Sequence, residues 1–190
     1  MKILLASQSP RRKELLAQLG FEFETVSVDC EEVFPPEMPV LEVAEYLSNL
    51  KAEAFGSLET DEVLITADTV VILDDQILGK PGDVQHAEEM LKNLAGKTHQ
   101  VCTGITVKTS KETISASDVA DVTFDHINDA ECDYYISNFK PFDKAGGYGI
   151  QDWLGMAKIS KIEGSFYTVM GLPTHLLYSI LTDLQNSASR

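Results

Sequence analysis

Two adjacent arginines, Arg11 and Arg12, follow Ser9 and Pro10 in the run ASQSPRRKELLAQLG. Ser at an N-cap, Pro at the first helical position and Gly20 after the last leucine mark a helix. The arginines therefore stand in its first turn, where the helix dipole already carries partial positive charge. Either the chain tolerates a cost of about 0.3–1 kcal/mol per exposed charge, or N–H groups, dipole and two guanidinium forks converge on an anion such as a phosphate. Other polar residues also stand out of pattern. Lys51 falls on an apolar helical stripe, and Lys80 precedes a proline. Glu31 and Glu32 lie in the acidic, Pro-rich stretch DCEEVFPPEM, and Asp68 sits in the middle of the apolar run VLITADTVVIL. The glycine-rich stretch DKAGGYGIQ ends at Gln151. Cations together with two separated carboxylates suit metal-assisted hydrolysis of a phosphoanhydride. The cations hold phosphates and offset charge in the transition state, while the carboxylates hold Mg²⁺ or orient and deprotonate a water.

The elements that must carry these residues follow from periodicity. KILLA reads as a short buried strand before the first helix, and a second strand is expected over 22–28. In VLEVAEYLSNLKAEAF, Val40, Val43, Ala44, Leu47 and Ala54 form one face of an amphipathic helix. Lys51 belongs to that stripe, as a lysine that snorkels at its edge or one aimed into a pocket. Residues 63–73 read as a central strand buried on both faces. A carboxylate inside it is costly unless paired, hydrogen-bonded or metal-bound. Asp68 is therefore either a structural cap at a strand end or a functional group. DDQ predicts a hairpin turn, and a helix over 83–95 is stopped by Gly96. Two long strands of a hairpin follow, then a helix over 128–138 capped by Asn128. The glycine-rich stretch is an ordinary turn or a loop whose N–H groups reach a ligand. MAKISKIEG reads as a strand, and GLPTHLLYSILTDLQ as the closing helix. The GKT at 96–98 is no P-loop: the glycine five positions earlier is missing, and a helix precedes it instead of a strand. The whole predicts a mixed α/β or α+β fold.

Composition narrows the function classes. A net charge of −15 in 190 residues argues against a nucleic-acid binder and makes each local basic cluster informative. Cys30, Cys102 and Cys132 show no CxxC, and the four histidines no metal spacing, which leaves structural roles for all of them. Residues 1–6 are too short for a signal peptide, and no apolar run approaches the ~18 residues of a membrane span. A soluble cytoplasmic protein without membrane or nucleic-acid partners is expected.

The ordered set LLASQSPRRKELL, EE, LKAEAF, TADTVV, LGKPGD, THQVCTGITV, FDKAGGYGIQ and GLP resembles the Maf family of nucleoside triphosphate pyrophosphatases over nearly the whole chain. The resemblance implies a single domain over 1–190 related in fold to the inosine-triphosphate pyrophosphatases. That fold is an elongated, twisted mixed sheet flanked by helices, with two lobes around a cleft, usually as a homodimer. It implies cleavage between the α- and β-phosphates with a divalent metal, Mg²⁺ or Mn²⁺. Asp68 matches the family's proton acceptor, and Ser7, Arg11, Arg12, Lys51 and Lys80 match phosphate-binding positions. Glu32, with Glu31 as its substitute, matches a carboxylate near metal and water; Asp68 is a second metal candidate. Arg12, Thr69 and Gln151 match positions that bear on substrate choice. The GYGIQ form resembles the branch acting on dTTP and UTP, since a carboxamide can face O4 and N3–H of a pyrimidine together. The branch that prefers 7-methyl-GTP is the sibling alternative, and a non-catalytic nucleotide sensor of cell division the rival from another class. Asp152 and Trp153 depart from the glycine-rich sequence expected after Gln151; Trp153 could stack on a base or pack at a lobe or subunit contact.

Overall fold

The computed structural model describes residues 1–188. It is a mixed α/β protein. Among the described residues, seven strands form one mixed sheet: β1 (Lys2–Leu5), β2 (Phe23–Thr25), β3 (Glu62–Leu73), β4 (Gln76–Leu78), β5 (Thr98–Lys108), β6 (Thr113–Phe124) and β7 (Ile159–Glu163). Their order is β2-β1-β3-β5-β6-β7, with β4 paired to β3. β1 runs parallel to β2 and β3, whereas the β3/β4 and β6/β7 pairs are antiparallel. The helices are α1 (Pro10–Gln18), α2 (Val43–Ala54), α3 (Val84–Leu94), α4 (Asp129–Phe139), α5 (Trp153–Lys158), α6 (Phe166–Met170) and α7 (Thr174–Ala188). No helix among the described residues is long and apolar enough to cross a membrane.

The chain folds as two compact units. One comprises Met1–Asp68, Thr103–Asp118 and the chain from Gly171 onward; the other comprises Thr69–Cys102 and Val119–Met170. β3, β5 and β6 each contribute residues to both.

In the first unit, one face of β3 meets α2. Leu64 packs with Ala52, and Thr66 Oγ1 donates to the Ser48 carbonyl at 2.6 Å. Ser48 Oγ in turn shares a hydrogen bond of 2.8 Å with Thr106 Oγ1 on β5. The helix lies so close to β5 that a Cβ on Gly104 would stand 2.3 Å from the Glu45 nitrogen, so only glycine fits there. Lys108 Nζ donates to the carbonyls of Ala52 and Gly56, placing a cation at the negative end of α2. The buried face of α2 is Val43, Ala44, Leu47, Ser48 and Ala52. Val40 precedes the helix and Ala54 is exposed, so the expected stripe shifts at both ends.

The second unit is built around Tyr135, Phe124, Leu91, Leu94 and Leu154, all essentially inaccessible to solvent. Burying each such side chain contributes roughly 1.5–3 kcal/mol. The β3–β4 hairpin turns through Asp74 and Asp75, both at positive φ (51° and 59°), as a two-residue connection of right-twisted strands demands. α4 begins with a capping box in which Asn128 accepts from the Glu131 N–H and Glu131 accepts from the Asn128 N–H. Trp153 packs into this unit, edge-on to Tyr134 with ring centroids 4.9 Å apart.

His99 is 2% exposed, and its Nε2 lies 2.6 Å from the Tyr148 hydroxyl. The rings of Tyr148 and Phe124 pack against it, and its buried Nδ1 has no hydrogen-bond partner among the described residues. Burial pushes the imidazole down to about 4 from 6.5. Its folded pKa therefore lies below the unfolded one, and the unfolded chain binds the extra proton between these values. Stability is complete above about pH 6.5 and falls as pH drops toward 4, by about 3 kcal/mol from this residue. Urea unfolding of wild type and His99→Gln from pH 7 to pH 4 checks this. The variant keeps a partner for Tyr148 and should lose less stability on acidification; parallel curves would refute the assignment.

Two further expectations are corrected. The strand over 22–28 shortens to Phe23–Thr25, because β2 pairs only with Ile3–Leu5 of the short β1. MAK belongs to helix α5, and only Ile159–Glu163 of MAKISKIEG is strand. The short helix α6 was not anticipated from the sequence, since five residues are too few to show a period.

Candidate active site

α1 positions the two arginines. Ser9 Oγ accepts the Arg12 N–H at 3.5 Å, and the Ser9 N–H donates to Oγ of the buried Ser7 at 3.2 Å. The Arg12 guanidinium turns back into the unit. Nε donates to the Gly171 carbonyl at 2.7 Å and Nη1 to the Ala67 carbonyl at 2.9 Å. These acceptors offset the unfavourable position of a cation at a helix start. Burial pushes the guanidinium below the ordinary arginine value; Asp68 and Glu32 act in the opposite sense, and Arg11 adds to the lowering. The charge persists, because arginine does not deprotonate in proteins.

The next contact is the centre of the site. Lys51 on α2 donates from Nζ to Asp68 Oδ1 at 2.5 Å and lies 3.1 Å from Glu32 Oε1. The Lys51 and Asp68 side chains are only 15% and 12% exposed, whereas Glu32 is 51% exposed. Asp68 lies inside β3, which continues to Leu73, so it does not cap a strand end. Lys51 points into the unit toward two carboxylates instead of snorkelling outward. Of the two adjacent acids, Glu32 is the one that reaches Lys51; Glu31 is exposed, and its carbonyl accepts the Val33 N–H. The first unit thus joins Arg12, Lys51, Asp68 and Glu32, with Arg11 and Ser7 on the same short segment. Gly171 carries no side-chain signature, and nothing in the sequence identifies its carbonyl as the partner of Arg12.

The second unit holds Thr69, Lys80 and Gln151. Thr69 is half-buried on β3, directly after Asp68. Lys80 is exposed between Gly79, whose carbonyl accepts the Gly146 N–H at 3.0 Å, and the buried Pro81. Gly146 and Gly147 adopt positive φ (69° and 72°), the conformation that the glycine-rich loop requires. Gln151 is exposed and, among the described residues, is the one polar side chain lining a hollow of about 380 Å³, with Ile150, Gly155, Met156, Ile159, Ile162 and Phe166.

Among the described residues, no group of three or more His, Cys, Asp or Glu side chains is arranged around a metal position. Asp68 and Glu32 remain as a pair of oxygen donors. Mg²⁺ is commonly held by one or two carboxylates with substrate phosphates and water completing its shell, and this pair fits that pattern.

Comparison with known proteins matches residues 2–184 to the family described as "Maf-like protein". The chain is 50% identical to the dTTP/UTP pyrophosphatase of Porphyromonas gingivalis, covering 98% of this chain and 96% of that one. It is 45% identical to the dTTP/UTP pyrophosphatase of Flavobacterium johnsoniae, covering 96% and 95%. Among solved structures, the Staphylococcus aureus Ham1 protein aligns with a TM-score of 0.48 at 14% identity, over 65% of this chain and 72% of that one.

Proposed function

The chain belongs to the Maf family, and we propose that it hydrolyses nucleoside triphosphates, dTTP and UTP before others, to the monophosphate and pyrophosphate. The observation that carries the chemistry is the buried Lys51–Asp68 contact flanked by Glu32. The names of the full-length relatives support the pyrimidine preference.

In this reading a water attacks the α-phosphorus, a new P–O bond forms, and the bond to the oxygen bridging the α- and β-phosphorus breaks. Pyrophosphate leaves with that oxygen. Asp68 accepts the proton of the water, as a general base. Lys51 holds the Asp68 carboxylate in place. Arg12, fixed by two backbone carbonyls, and Arg11 present positive charge to the phosphates and offset the charge that builds in the transition state. Lys80 keeps the phosphate role, and Thr69 and Gln151 the selectivity roles, that the family resemblance gives them. Asp68 and Glu32 would hold the divalent cation, which when bound would polarise phosphate oxygens and acidify a water. The homodimer and the cytoplasmic setting belong to the same proposal.

A panel assay tests it. The protein is incubated with Mg²⁺ or Mn²⁺ and dTTP, UTP, CTP, GTP, ATP or 7-methyl-GTP, and the products are separated by chromatography. Monophosphate and pyrophosphate, formed fastest from dTTP and UTP, are expected. Diphosphate and orthophosphate would mean that a different bond is cut. Fastest turnover of 7-methyl-GTP would assign the sibling specificity, and binding of dTTP without turnover would make the protein a sensor.

A further inference from the structure

One buried phenol holds both ends of the turn that carries Gln151. The Asp152 N–H donates to the Gly149 carbonyl at 3.1 Å, which closes a four-residue turn with Ile150 and Gln151 at its centre. Tyr135 reaches this turn from α4, fully buried. Its hydroxyl accepts the Gly149 N–H at 3.0 Å and donates to Asp152 Oδ2 at 2.8 Å. Asp152 stands at the N-cap of α5, yet its side chain makes no capping bond; the carboxylate is turned to the phenol instead. Burial, and then the bond to Asp152, push the Tyr135 hydroxyl far above its ordinary value, so it remains a proton donor. From the other side, a Cβ on Gly155 would stand 2.0 Å from the Ile150 carbonyl oxygen, so α5 is pressed against the same turn. Ile150 is buried and Gln151 exposed, which makes the carboxamide the part of this rigid turn offered to a ligand.

We propose that Tyr135 and Asp152 are positioning residues that clamp the 149–152 turn and thereby fix Gln151 for selection among nucleobases. The inference rests on reading Gln151 as a base-selecting residue. It gives Asp152, which departs from the glycine-rich sequence expected after Gln151, a reason: its carboxylate is half of the clamp. A carboxamide discriminates only if its donor and acceptor are held in register with the base edge. Displacement by about 1 Å is enough to cost ~100-fold in rate elsewhere in enzymes.

The test is kcat/KM for dTTP, UTP, GTP and ATP in wild type, Tyr135→Phe, Asp152→Asn, Asp152→Ala and Gln151→Ala. Tyr135→Phe should lower kcat/KM for dTTP and UTP about 10- to 100-fold, mainly through KM, with little change for the purine nucleotides. Asp152→Asn keeps an oxygen for the phenol and should keep the preference; Asp152→Ala should lose it. Should Tyr135→Phe fail to fold, the two Asp152 variants decide the matter alone. Equal loss on all four nucleotides, or preference retained in both Tyr135→Phe and Asp152→Ala, would overturn the clamp. Gln151→Ala separates the two readings. Preference lost there but kept in the clamp variants rejects the clamp alone, and preference kept in Gln151→Ala rejects the base-selecting role on which the clamp depends.

Discussion

Asp68→Asn should lower kcat on dTTP by about 10²–10⁴-fold and leave nucleotide affinity near that of the wild type. Asparagine has the same shape and keeps an oxygen for the Lys51 Nζ contact, so the arrangement of Lys51 and the backbone bonds of Arg12 survive. What disappears is the capacity to accept a proton from water. The check pairs single-turnover kinetics with calorimetric binding of a dTTP analogue that carries nitrogen between the α- and β-phosphorus. Turnover surviving in the variant would remove Asp68 as the proton acceptor. Loss of binding along with turnover would show that holding the metal–nucleotide complex is its dominant role and would remove the support for the base role.

Lys51→Met should reduce both turnover and stability, the latter by about 3–5 kcal/mol, the cost of breaking a buried ion pair by removing one partner. Asp68 supplies most of this effect, because its side chain is 12% exposed and loses its cation. Glu32 adds little, because half of it faces solvent. Urea unfolding of Lys51→Met, Asp68→Asn and the double variant forms a cycle. The double variant should regain much of the lost stability, since asparagine leaves no uncompensated charge, while turnover stays absent. A single-variant cost below about 1 kcal/mol would show that the pair behaves as an exposed one.

Much of this arrangement was legible in the sequence, and the reasons are local. α1 announces itself through Ser9, Pro10 and Gly20, α4 through Asn128 and Glu131, and the β3–β4 turn through Asp74 and Asp75. Each depends on neighbours within a few residues. Asp68 was legible as a misfit, because a carboxylate within a run of eleven largely apolar residues needs a partner. That the partner is Lys51 follows from α2 lying on the Leu64–Thr66–Asp68 face, which only the fold provides. The choice between Glu31 and Glu32 had no local signal, since their loop has no period. Tyr135 reads as one more aromatic in a helix: its partners lie 14 and 17 residues away. The MAK end of α5 reads as strand because a six-residue helix with a glycine in it shows no helical repeat, and that glycine answers to the Ile150 carbonyl and not to helix propensity.

Arg12 and the carbonyl that steadies it are 159 residues apart. A ribosome makes Arg12 well before it makes Gly171. Once Asp68 has been made the nascent chain carries Ser7, Arg12, Lys51 and Asp68, but one strut of the arginine has yet to be made. A product cut short before Gly171 has only the Ala67 carbonyl to offer the guanidinium. Full seating of the guanidinium thus waits on translation past Gly171.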